Sequence, residues 1–457
     1  MGKQFLFDES LYQFDEPQPS WWEESAAKPD LVGAELNSEV DCDVVIIGGG
    51  YTGLSAAYHL AKEYSIDVRV LEAGHIGWGS SGRNGGFCCM GGTQFSVEKS
   101  ISKYGLEETR KFHTCQKDAV ELVRTLIKDE NIDADIQGDC EYVVAQKPSH
   151  YDALSKQCEF ERETIGMDVS MVKQQEFAEV AYDAPHQHGA MAIRPGFGVH
   201  PLKYLHGLAV ATERHGAKLH PHSEVLKWEK QTDKHIMRTA KGSVTAKHVI
   251  VACNGFMPEH LRESLNARIL PLQSQIVVSR PLSDDELAAH NWKMQSQAVN
   301  SKNVYFYYRM LPGNRFMMGG RAEFSGTKKG AELTAQKLTD SVHQMWPEWK
   351  NVEMTHSWRG FVCFTSKLRP SIGRLPDDPS VHLGFGYHGN GVSNASWTGR
   401  ELARWLATGN DKTNPLPMHL PAVVRGITPK FPFPSLRRTY ARAGVAWHNF
   451  KDKMDGL

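Results

Sequence analysis

The stretch from residue 43 to residue 72 reads DVVIIGGGYTGLSAAYHLAKEYSIDVRVLE. It opens with an apolar, β-branched run of strand length, Asp43 to Ile47, which ends in three glycines. A helix-forming run from Leu54 to Glu63 follows, and then a second short strand from Asp67 to Leu71. The stretch therefore predicts a complete strand–turn–helix–strand unit.

The turn of this unit carries a G-x-G-x-x-G pattern made by Gly48, Gly50 and Gly53. Gly48 permits a tight turn, Gly50 lets the backbone approach a pyrophosphate, and Gly53 lets the helix pack closely on the strand. The helix N-terminus offers N–H groups and a positive dipole end to phosphates. Glu72 lies 22 positions after Gly50, where a carboxylate can bind both ribose hydroxyls. The unit predicts a dinucleotide without a 2′-phosphate, either FAD or NAD.

Composition limits the class of protein. A chain of 457 residues predicts two or more domains. With 52 basic and 53 acidic residues, the sequence has no nucleic-acid signature. It has no apolar run of membrane-spanning length, and its first residues do not resemble a secretory signal, so we expect a cytoplasmic protein.

Cysteine and histidine spacing gives no sign of disulfides or metal. The eight cysteines include no C-x-x-C pair, which favours reduced thiols. The histidine pairs His186/His188 and His220/His222 lack a third ligand at clear spacing. No metal site is therefore predicted.

The segment from Gly74 to Gly86, GHIGWGSSGRNGG, is too rich in glycine for a strand or a helix. We expect a long loop that wraps a cofactor, with Arg83 near the electron-rich part of that cofactor. The alternative is a flexible loop in solvent, although such a loop would not need an arginine between glycines.

Together, GGGYTGLSAAYHL and LEAGHIGWGSSGRNGG resemble the D-amino-acid-oxidase-type flavoproteins, in particular the branch that contains γ-glutamylputrescine oxidase. The resemblance is strong over residues 40 to 90 and returns near the C-terminus. It implies an α/β fold with a discontinuous, Rossmann-like FAD-binding domain and an inserted α+β substrate domain built on an antiparallel sheet. It also implies FAD as cofactor and oxidation of a C–N bond of an amine.

The predicted domains follow from this resemblance and from the helix and strand patterns. The N-terminal arm, expected to lie over the main domain, is 1–42. The FAD-binding domain takes 43–106, 190–270 and 355–424, the substrate domain takes 107–189 and 271–354, and a basic helical extension takes 425–457. The extension could rest on a membrane surface or a partner, or pack on the FAD-binding domain.

Within the FAD-binding domain, Pro201 is expected to start a helix that runs from Leu202 to His215. His200 is then either a helix-start residue, which we favour, or a neighbour of the flavin. By resemblance, a strand near Glu224 and Val225 passes the adenine.

A β-hairpin is predicted around the turn from Met310 to Asn314, and by resemblance its sheet forms the roof of the substrate cavity. Tyr305, Tyr307 and Arg309 alternate with Phe306 and Tyr308, so one side faces a core and the other side could face a ligand. Either these are ordinary strand aromatics, or Tyr308 or Arg309 touches the substrate.

The last informative stretch, HLGFGYHGNGVSNASWTGRELA, predicts a strand from His382 to Phe385 and a helix from Val392 to Leu406. The glycine-rich turn between them could serve packing alone. We favour a helix N-terminus that stabilises negative charge around N1 and C2 of a reduced flavin, with contacts from Gly389, Gly391 and Val392.

Departures from the family bear on the substrate. Where relatives show GxSGHG, this chain has GYHGNG, with His388 in the place of the serine and Asn390 in that of the histidine. The place of the arginine that holds the substrate carboxylate in glycine oxidase is Val362, which favours an amine whose carboxylate is remote or absent. The cysteine of covalent flavoproteins falls nearer Gly360 than Cys363, which favours noncovalent FAD.

These observations give the following predicted site. The catalytic residues are His388, Tyr308 and Arg83, and the substrate contacts are Tyr308, Arg309 and His388. The cofactor contacts are Gly48, Gly50, Tyr51, Thr52, Gly53, Glu72, Ala73, Gly79, Ser80, Ser81, Arg83, Asn84, Gly85, Gly86, Val225, Gly255, Gly389, Asn390, Gly391 and Val392.

The predicted function is oxidation of a primary or secondary amine similar to γ-glutamylputrescine. Hydride passes to flavin N5, the resulting imine hydrolyses, and oxygen or another electron acceptor reoxidises the flavin. The alternatives are a sarcosine- or pipecolate-type oxidase, a D-amino acid dehydrogenase, an NAD-dependent dehydrogenase, and a noncatalytic flavin-binding subunit.

Overall fold

The computed structural model describes residues 6–321, 324–409 and 419–454. The first five residues of the predicted arm, residues 410–418 of the predicted FAD-binding domain and the last three residues of the predicted extension lie outside this description. In the described ranges, none of the helices has the length and apolar character needed to cross a membrane.

The α-helices of the described residues are α1 (Trp21–Ser25), α2 (Tyr51–Tyr64), α3 (Ser80–Arg83), α4 (Val97–Tyr104), α5 (Leu106–Asp129), α6 (Pro148–Ile165), α7 (Gln174–Val180), α8 (Pro201–Arg214), α9 (Asp284–Ala289), α10 (Lys328–Met345), α11 (Gly391–Thr408) and α12 (Arg437–Met454).

The strands are β1 (Glu39–Ile47), β2 (Val68–Leu71), β3 (Phe87–Cys88), β4 (Glu141–Val144), β5 (Asp168–Val172), β6 (Ala190–Arg194), β7 (Phe197–Gly198), β8 (Lys218–His220), β9 (Lys227–Gln231), β10 (Lys234–Arg238), β11 (Ser243–Val251), β12 (Ile269–Pro281), β13 (Gln297–Asn300), β14 (Tyr307–Leu311), β15 (Arg315–Arg321), β16 (Met354–Thr365), β17 (Ser371–Leu375) and β18 (Asp378–Phe385).

The first sheet has the strand order β17-β18-β11-β1-β2-β8, and β1 runs parallel to both of its neighbours. Alternate residues of β1 enter two different cores. Val44 and Ile46 pack with the side chains of α2 and α8, whereas Val45 and Ile47 pack on the opposite face. A sheet buried on both faces needs apolar residues at every buried position, which is why the inner half of β1, Val44 to Ile47, is a continuous apolar run. The Rossmann-like expectation is confirmed.

The second sheet has the order β16-β12-β15-β14-β13-β4-β6-β5 and is antiparallel except for the β13–β4 pair. Its outer face packs on aromatic side chains from the helical segments beside it, among them Trp346 and Trp349. The hairpin predicted around Met310 to Asn314 forms as β14 and β15. The expected antiparallel substrate sheet is therefore present.

Two strands near the predicted domain boundaries pair differently from what those boundaries imply. Strand β6 pairs with β4 and β5, and β16 pairs along most of its length with β12, so both belong to the second sheet. The predicted boundaries placed most of their residues with the first sheet. The side-chain pattern of a strand shows that one face is buried but not which sheet it joins.

Three local expectations can be compared with the structure. His200 is the N-cap of α8, where its Nδ1 accepts a hydrogen bond from Lys203 N–H at 3.2 Å, so the helix-start interpretation is confirmed. The segment from Gly74 to Gly86 is not wholly a loop, because α3 forms one helical turn inside it. Val225 lies in an irregular connection just before β9 rather than in a strand.

The N-terminal arm packs over the main body of the molecule. Trp22 is almost fully buried, and its indole N–H donates to the Asn84 carbonyl at 2.9 Å. In return, the Trp78 indole N–H donates to the Glu16 carbonyl at 2.8 Å. Each contact joins the arm to the glycine-rich segment around α3, so the arm holds that segment in place.

Close packing of α2 on its strand gives the first testable prediction. A Cβ at Gly53 would lie 1.9 Å from the Gly48 carbonyl oxygen, so a Gly53→Ala change must displace the turn or the helix. Overpacking of this kind costs about 1–3 kcal/mol, and the melting temperature should fall by about 3 °C or more, with loss of bound cofactor.

The matched control is Gly444→Ala in α12, where an added Cβ meets nothing within 4 Å. Alanine is the better helix former at such a site, so we expect the melting temperature to hold or rise slightly. Equal melting temperatures for the two variants, with equal cofactor content, would contradict the packing role of Gly53.

Candidate active site

A cavity of about 1280 Å³ takes its walls from both sheets and from the N-terminal arm. Pockets for a single drug-sized ligand are usually about 300–1000 Å³, so this cavity has room for a large cofactor and a second molecule. Its lining runs from the glycine-rich turn after β1, through Glu72 and α3, to the turn before α11.

At one end of the cavity lies the N-terminus of α2. Its N-cap is Gly50, which has no side chain to cap the first N–H groups of the helix. The Tyr51 N–H donates to Ser81 Oγ at 3.1 Å, and a Cβ at Gly50 would come within 2.8 Å of the same oxygen. The turn is therefore closely packed at Gly50. Gly50 gives no side-chain cap to the N–H groups that follow Tyr51, and a helix N-terminus of this kind suits a phosphate.

Glu72 forms the next part of the cavity wall. Its carboxylate accepts hydrogen bonds from Gly49 N–H at 2.7 Å and Gly74 N–H at 3.1 Å. Burial raises the pKa of Glu72, and these two N–H groups oppose the rise. A carboxylate has about four acceptor positions, so two remain for the hydroxyls of a ribose.

Arg83 places a cation in the cavity wall. The side chain is only 7% exposed, and its guanidinium lies over the Trp78 ring, 4.1 Å from the ring centroid. Burial lowers the pKa of Arg83 to about 9, although nearby Glu23 opposes the change. Its Nη2 has no hydrogen-bond partner among the residues described. A buried donor left unpaired is costly, so this atom suits an anionic or carbonyl group of a bound ligand.

The N-terminus of α11 faces the cavity as well. Its N-cap, Asn390, makes no capping bond and instead donates from Nδ2 to the Met90 carbonyl at 2.8 Å. Ser393 Oγ donates in the same way to the Cys89 carbonyl at 2.8 Å. Nothing lies within 4 Å of a Cβ built on Gly391. The side chains of the first turn of α11 therefore bind the segment at Cys89 and Met90. The backbone N–H groups of this turn are left to face the cavity.

His388 lies in the turn before α11 and lines the cavity. The ring is 3% exposed, and it meets the Phe364 ring edge to face with 5.1 Å between the centroids. Burial lowers the pKa of His388 to about 4, so the ring is neutral at ordinary pH. Its Nδ1 has no partner among the residues that the structure describes.

Tyr308 and Arg309, predicted to touch the substrate, do not line the cavity. Tyr308 points into the aromatic core, where its hydroxyl lies 2.6 Å from that of Tyr182. Arg309 holds backbone carbonyls, and its Nε donates to Gly85 O at 3.2 Å. The neighbouring Tyr307 takes the cavity face instead, because side chains alternate along a strand.

Most predicted cofactor contacts do line the cavity. The exceptions are Gly53, which packs behind the turn, and Gly86, where a Cβ would lie 2.0 Å from the Val199 carbonyl oxygen. The structure thus gathers the others around one cavity. They are Gly48, Gly50, Tyr51, Thr52, Glu72, Ala73, Gly79, Ser80, Ser81, Arg83, Asn84, Gly85, Val225, Gly255, Gly389, Asn390, Gly391 and Val392.

The predicted site omits several charged residues of the cavity wall, among them Glu141. Burial raises the pKa of this carboxyl to about 7, and the Cys89 thiol beside it opposes the rise. The signal in the sequence was an acid at the start of an otherwise apolar strand, EYVVA. Tyr305, noted in the hairpin but not assigned a role, also lines the cavity.

The C-terminal helix borders the outer part of the cavity. Arg437 forms a two-pronged ion pair with Glu259, with N–O distances of 2.6 and 2.9 Å. Near the other end of the helix, Asp452 accepts hydrogen bonds from Asn303 N–H at 2.8 Å and Val304 N–H at 3.0 Å. Helix α12 thus packs on the molecule by both ends. The expected packing on the FAD-binding domain covers only the Glu259 contact, because Asn303 and Val304 belong to the predicted substrate domain.

The described residues contain no group of three or more His, Cys, Asp or Glu side chains arranged to hold a metal ion. The eight cysteines are all free thiols. The polar groups of the cavity are therefore organic side chains and backbone N–H groups.

Comparison with known proteins identifies the family. The family of FAD-dependent oxidoreductases of the DAO type matches residues 43–405. The chain belongs to this family. It is 30% identical to gamma-glutamylputrescine oxidoreductase of Escherichia coli (strain K12) over 428 residues, which cover 92% of this chain and 95% of that protein.

Solved structures of DAO-type enzymes share the fold. Glycine oxidase from Geobacillus kaustophilus superposes with a TM-score of 0.66 at 22% identity, over 86% of this chain and 100% of that one. L-α-glycerophosphate oxidase from Mycoplasma pneumoniae with FAD bound gives a TM-score of 0.62 at 18% identity, over 80% and 94% of the two chains.

The protein is therefore an FAD-dependent oxidoreductase, and its cavity fits that cofactor. Glu72 suits the adenosine ribose, and the uncapped N-terminus of α2 suits the pyrophosphate. The N-terminus of α11 and the unpaired Nη2 of Arg83 suit the polar edge of the isoalloxazine ring. The prediction from the sequence that the cofactor is FAD is therefore confirmed.

The adenosine end gives the second prediction. In Glu72→Gln, an amide NH₂ replaces one carboxylate oxygen, so an N–H of Gly49, an N–H of Gly74 or a ribose hydroxyl loses its acceptor. Hydrogen bonds to charged groups contribute about 1.5–3 kcal/mol, so the dissociation constant for FAD should rise about 10-fold or more in a fluorescence titration.

The control is Glu63→Gln on the same helix as the phosphate site. The Glu63 side chain is 46% exposed and lines no part of the cavity, so FAD affinity should not change. An unchanged affinity in Glu72→Gln would contradict the assignment of the ribose site.

Proposed function

We propose that this enzyme oxidises the C–N bond of a primary or secondary amine similar to γ-glutamylputrescine, and that the imine product hydrolyses to a carbonyl compound. The observation that carries the proposal is the apolar wall around Val362. This residue pairs with Leu272 across β16 and β12, and both line the cavity. A substrate carboxylate would have no cation at this place.

The arginines of the cavity wall support the same conclusion. Arg437 is already paired with Glu259, and Arg438 donates to the Phe324 carbonyl at 2.9 Å. Arg83, the last residue of α3, stacks its guanidinium on Trp78 and lies among the predicted flavin contacts, so we assign it to the cofactor rather than to a substrate carboxylate. The similarity to the E. coli oxidoreductase, whose name states γ-glutamylputrescine, agrees with an amine of this type.

FAD, when bound, accepts the hydride that leaves the carbon beside the nitrogen. The chain provides the surroundings of that step. Tyr12 and Phe14 of the N-terminal arm cover one side of the cavity and reduce its contact with water. The N–H groups at the start of α11 stabilise negative charge that develops at the polar edge of the ring.

We propose that FAD is held without a covalent bond to cysteine. Gly360 stands where covalent relatives have the cysteine, and a Cβ built there would lie 3.5 Å from Arg83 Cβ. Cys363 also lines the cavity, but it is 2% exposed and packs in the apolar cluster behind the first sheet. Denaturation in acid should therefore release all of the flavin into the supernatant.

The proposed function is tested by anaerobic mixing of the FAD-loaded enzyme with γ-glutamylputrescine, putrescine, sarcosine, pipecolate, D-alanine and glycine. We expect γ-glutamylputrescine to bleach the oxidised-flavin band about 100-fold faster than glycine or D-alanine, because an unpaired buried carboxylate costs about 3 kcal/mol. Re-aeration with a peroxide assay then shows whether oxygen is the acceptor.

Other outcomes contradict the proposal. Bleaching by glycine or D-alanine alone would mean that the cavity does hold an α-carboxylate. Fast bleaching by sarcosine or pipecolate alone would assign the chain to secondary amino acids. A band that dithionite bleaches but no amine bleaches would indicate a flavin-binding subunit without this activity.

A further inference from the structure

Among the residues that the structure describes, Glu141 is the one acid that the strand register places on the cavity face of the second sheet. In register, Val143 pairs with Val299, and Val299 pairs with Tyr307. Val299 and Tyr307 line the cavity, and Glu141 lies two residues before Val143 on the same side of β4. The residues in between, such as Tyr142 and Tyr308, face the aromatic core. The side chain of Glu141 therefore enters the cavity by the regular geometry of the sheet.

The other acids that line the cavity already have partners. Glu72 holds two backbone N–H groups, Glu259 is paired with Arg437, Glu263 binds the ammonium of Lys430 at 2.8 Å, and Glu224 makes contacts of its own. Glu141 has only the Cys89 thiol beside it, and no cationic side chain in the described ranges offsets its charge. Glu141 is half-buried, and a carboxylate partly withdrawn from water without a cation is destabilised. A ligand that brings a positive charge removes this cost.

Glu141 lies close to the end of the cavity where oxidation takes place. Its neighbour Cys89 has its carbonyl held by Ser393 Oγ at 2.8 Å, in the first turn of α11. The next residue, Met90, is held by Asn390 at 2.8 Å. The segment that carries Cys89 thus contacts both Glu141 of the second sheet and the N-terminus of α11, which suits the isoalloxazine ring.

We propose that the Glu141 carboxylate receives the ammonium group of the substrate and makes the enzyme select positively charged amines. The proposal rests on the proposed amine-oxidising function. Once bound, the ammonium gives one proton to the carboxylate. An N–H bond breaks, an O–H bond forms on Glu141, and the amine that remains is neutral and ready for oxidation.

The groups around Glu141 are consistent with this role. The Cys89 thiol and the Tyr307 hydroxyl are both neutral at ordinary pH, because burial raises the pKa of each. A carboxyl that titrates near pH 7 can hold a charge to bind the cation and can also accept a proton from it. His388, the other titratable side chain proposed for this site, is a far weaker base because burial lowers its pKa to about 4.

Binding of tert-butylammonium to the FAD-loaded enzyme tests the proposal. This cation has no hydrogen on the carbon beside its nitrogen, so it cannot be oxidised, and its binding can be followed as a shift of the flavin absorption band. tert-Butanol has nearly the same shape and no charge. We expect the parent enzyme to bind the ammonium ion tightly relative to the alcohol.

The variant Glu141→Gln keeps the size of the side chain and removes its charge. We expect its affinity for tert-butylammonium to fall about 30-fold or more and its affinity for tert-butanol to stay the same. Glu141→Asp should restore part of the affinity for the cation. The flavin spectrum and FAD content of each variant show that the cavity is intact.

The matched control is Glu161→Gln in α6. Glu161 is also a buried glutamate with a raised pKa caused by burial, but it lies outside the cavity and bonds Gln157 at 2.9 Å. This variant should bind tert-butylammonium as the parent does. Undiminished binding of the cation in Glu141→Gln, or no preference of the parent for the cation over the alcohol, overturns the proposal.

The two proposals fail in different ways. If γ-glutamylputrescine bleaches the flavin at the same rate and affinity in Glu141→Gln as in the parent, the amine-oxidising function stands and the role of Glu141 falls. If no amine bleaches the flavin while the cation still needs Glu141 to bind, the cation site stands and the proposed oxidation falls.

Discussion

The carbonyl oxygen of Gly48 lies 1.9 Å from where Gly53 would carry a Cβ, and the rest of the site depends on this close approach. It sets the angle at which α2 leaves the first sheet and directs its N-terminus at the cavity. Helices α11 and α2 also approach each other closely, because a Cβ at Gly399 in α11 would lie 2.4 Å from the Thr52 carbonyl oxygen. Helix α11 packs tightly on α2, and the N-termini of both helices line the same cavity. We propose that each N-terminus serves one end of the cofactor.

The second sheet supplies what the first cannot. The first sheet leads into helix N-termini whose backbone N–H groups suit phosphates and the polar edge of a flavin, and these groups have no preference among substrates. The second sheet presents Val362, Tyr307 and Glu141 to the same cavity. Among the described residues, an apolar wall and one carboxylate without a cationic partner are the basis of the proposed preference for an amine over an amino acid.

The adenosine end could be predicted from the sequence because its parts are contiguous. Gly48, Gly50 and Glu72 belong to one strand–turn–helix–strand unit, and local propensity is enough to define that unit. The substrate end could not be predicted to the same degree. In the run from Tyr305 to Arg309, alternation shows two faces, but the cavity selects Tyr307 and the core takes Tyr308 through partners far along the chain. Glu141 was missed because the burial that raises its pKa, beside Cys89, comes from tertiary packing, which no local pattern records.

The most direct test of the account is a crystal structure of the enzyme with FAD and tert-butylammonium. The account predicts the adenosine ribose at Glu72, the polar edge of the isoalloxazine ring at the N-terminus of α11, and the ammonium nitrogen within hydrogen-bond distance of Glu141. A flavin bound in the reverse direction, or an ammonium ion placed elsewhere with Glu141 unpaired, would contradict it.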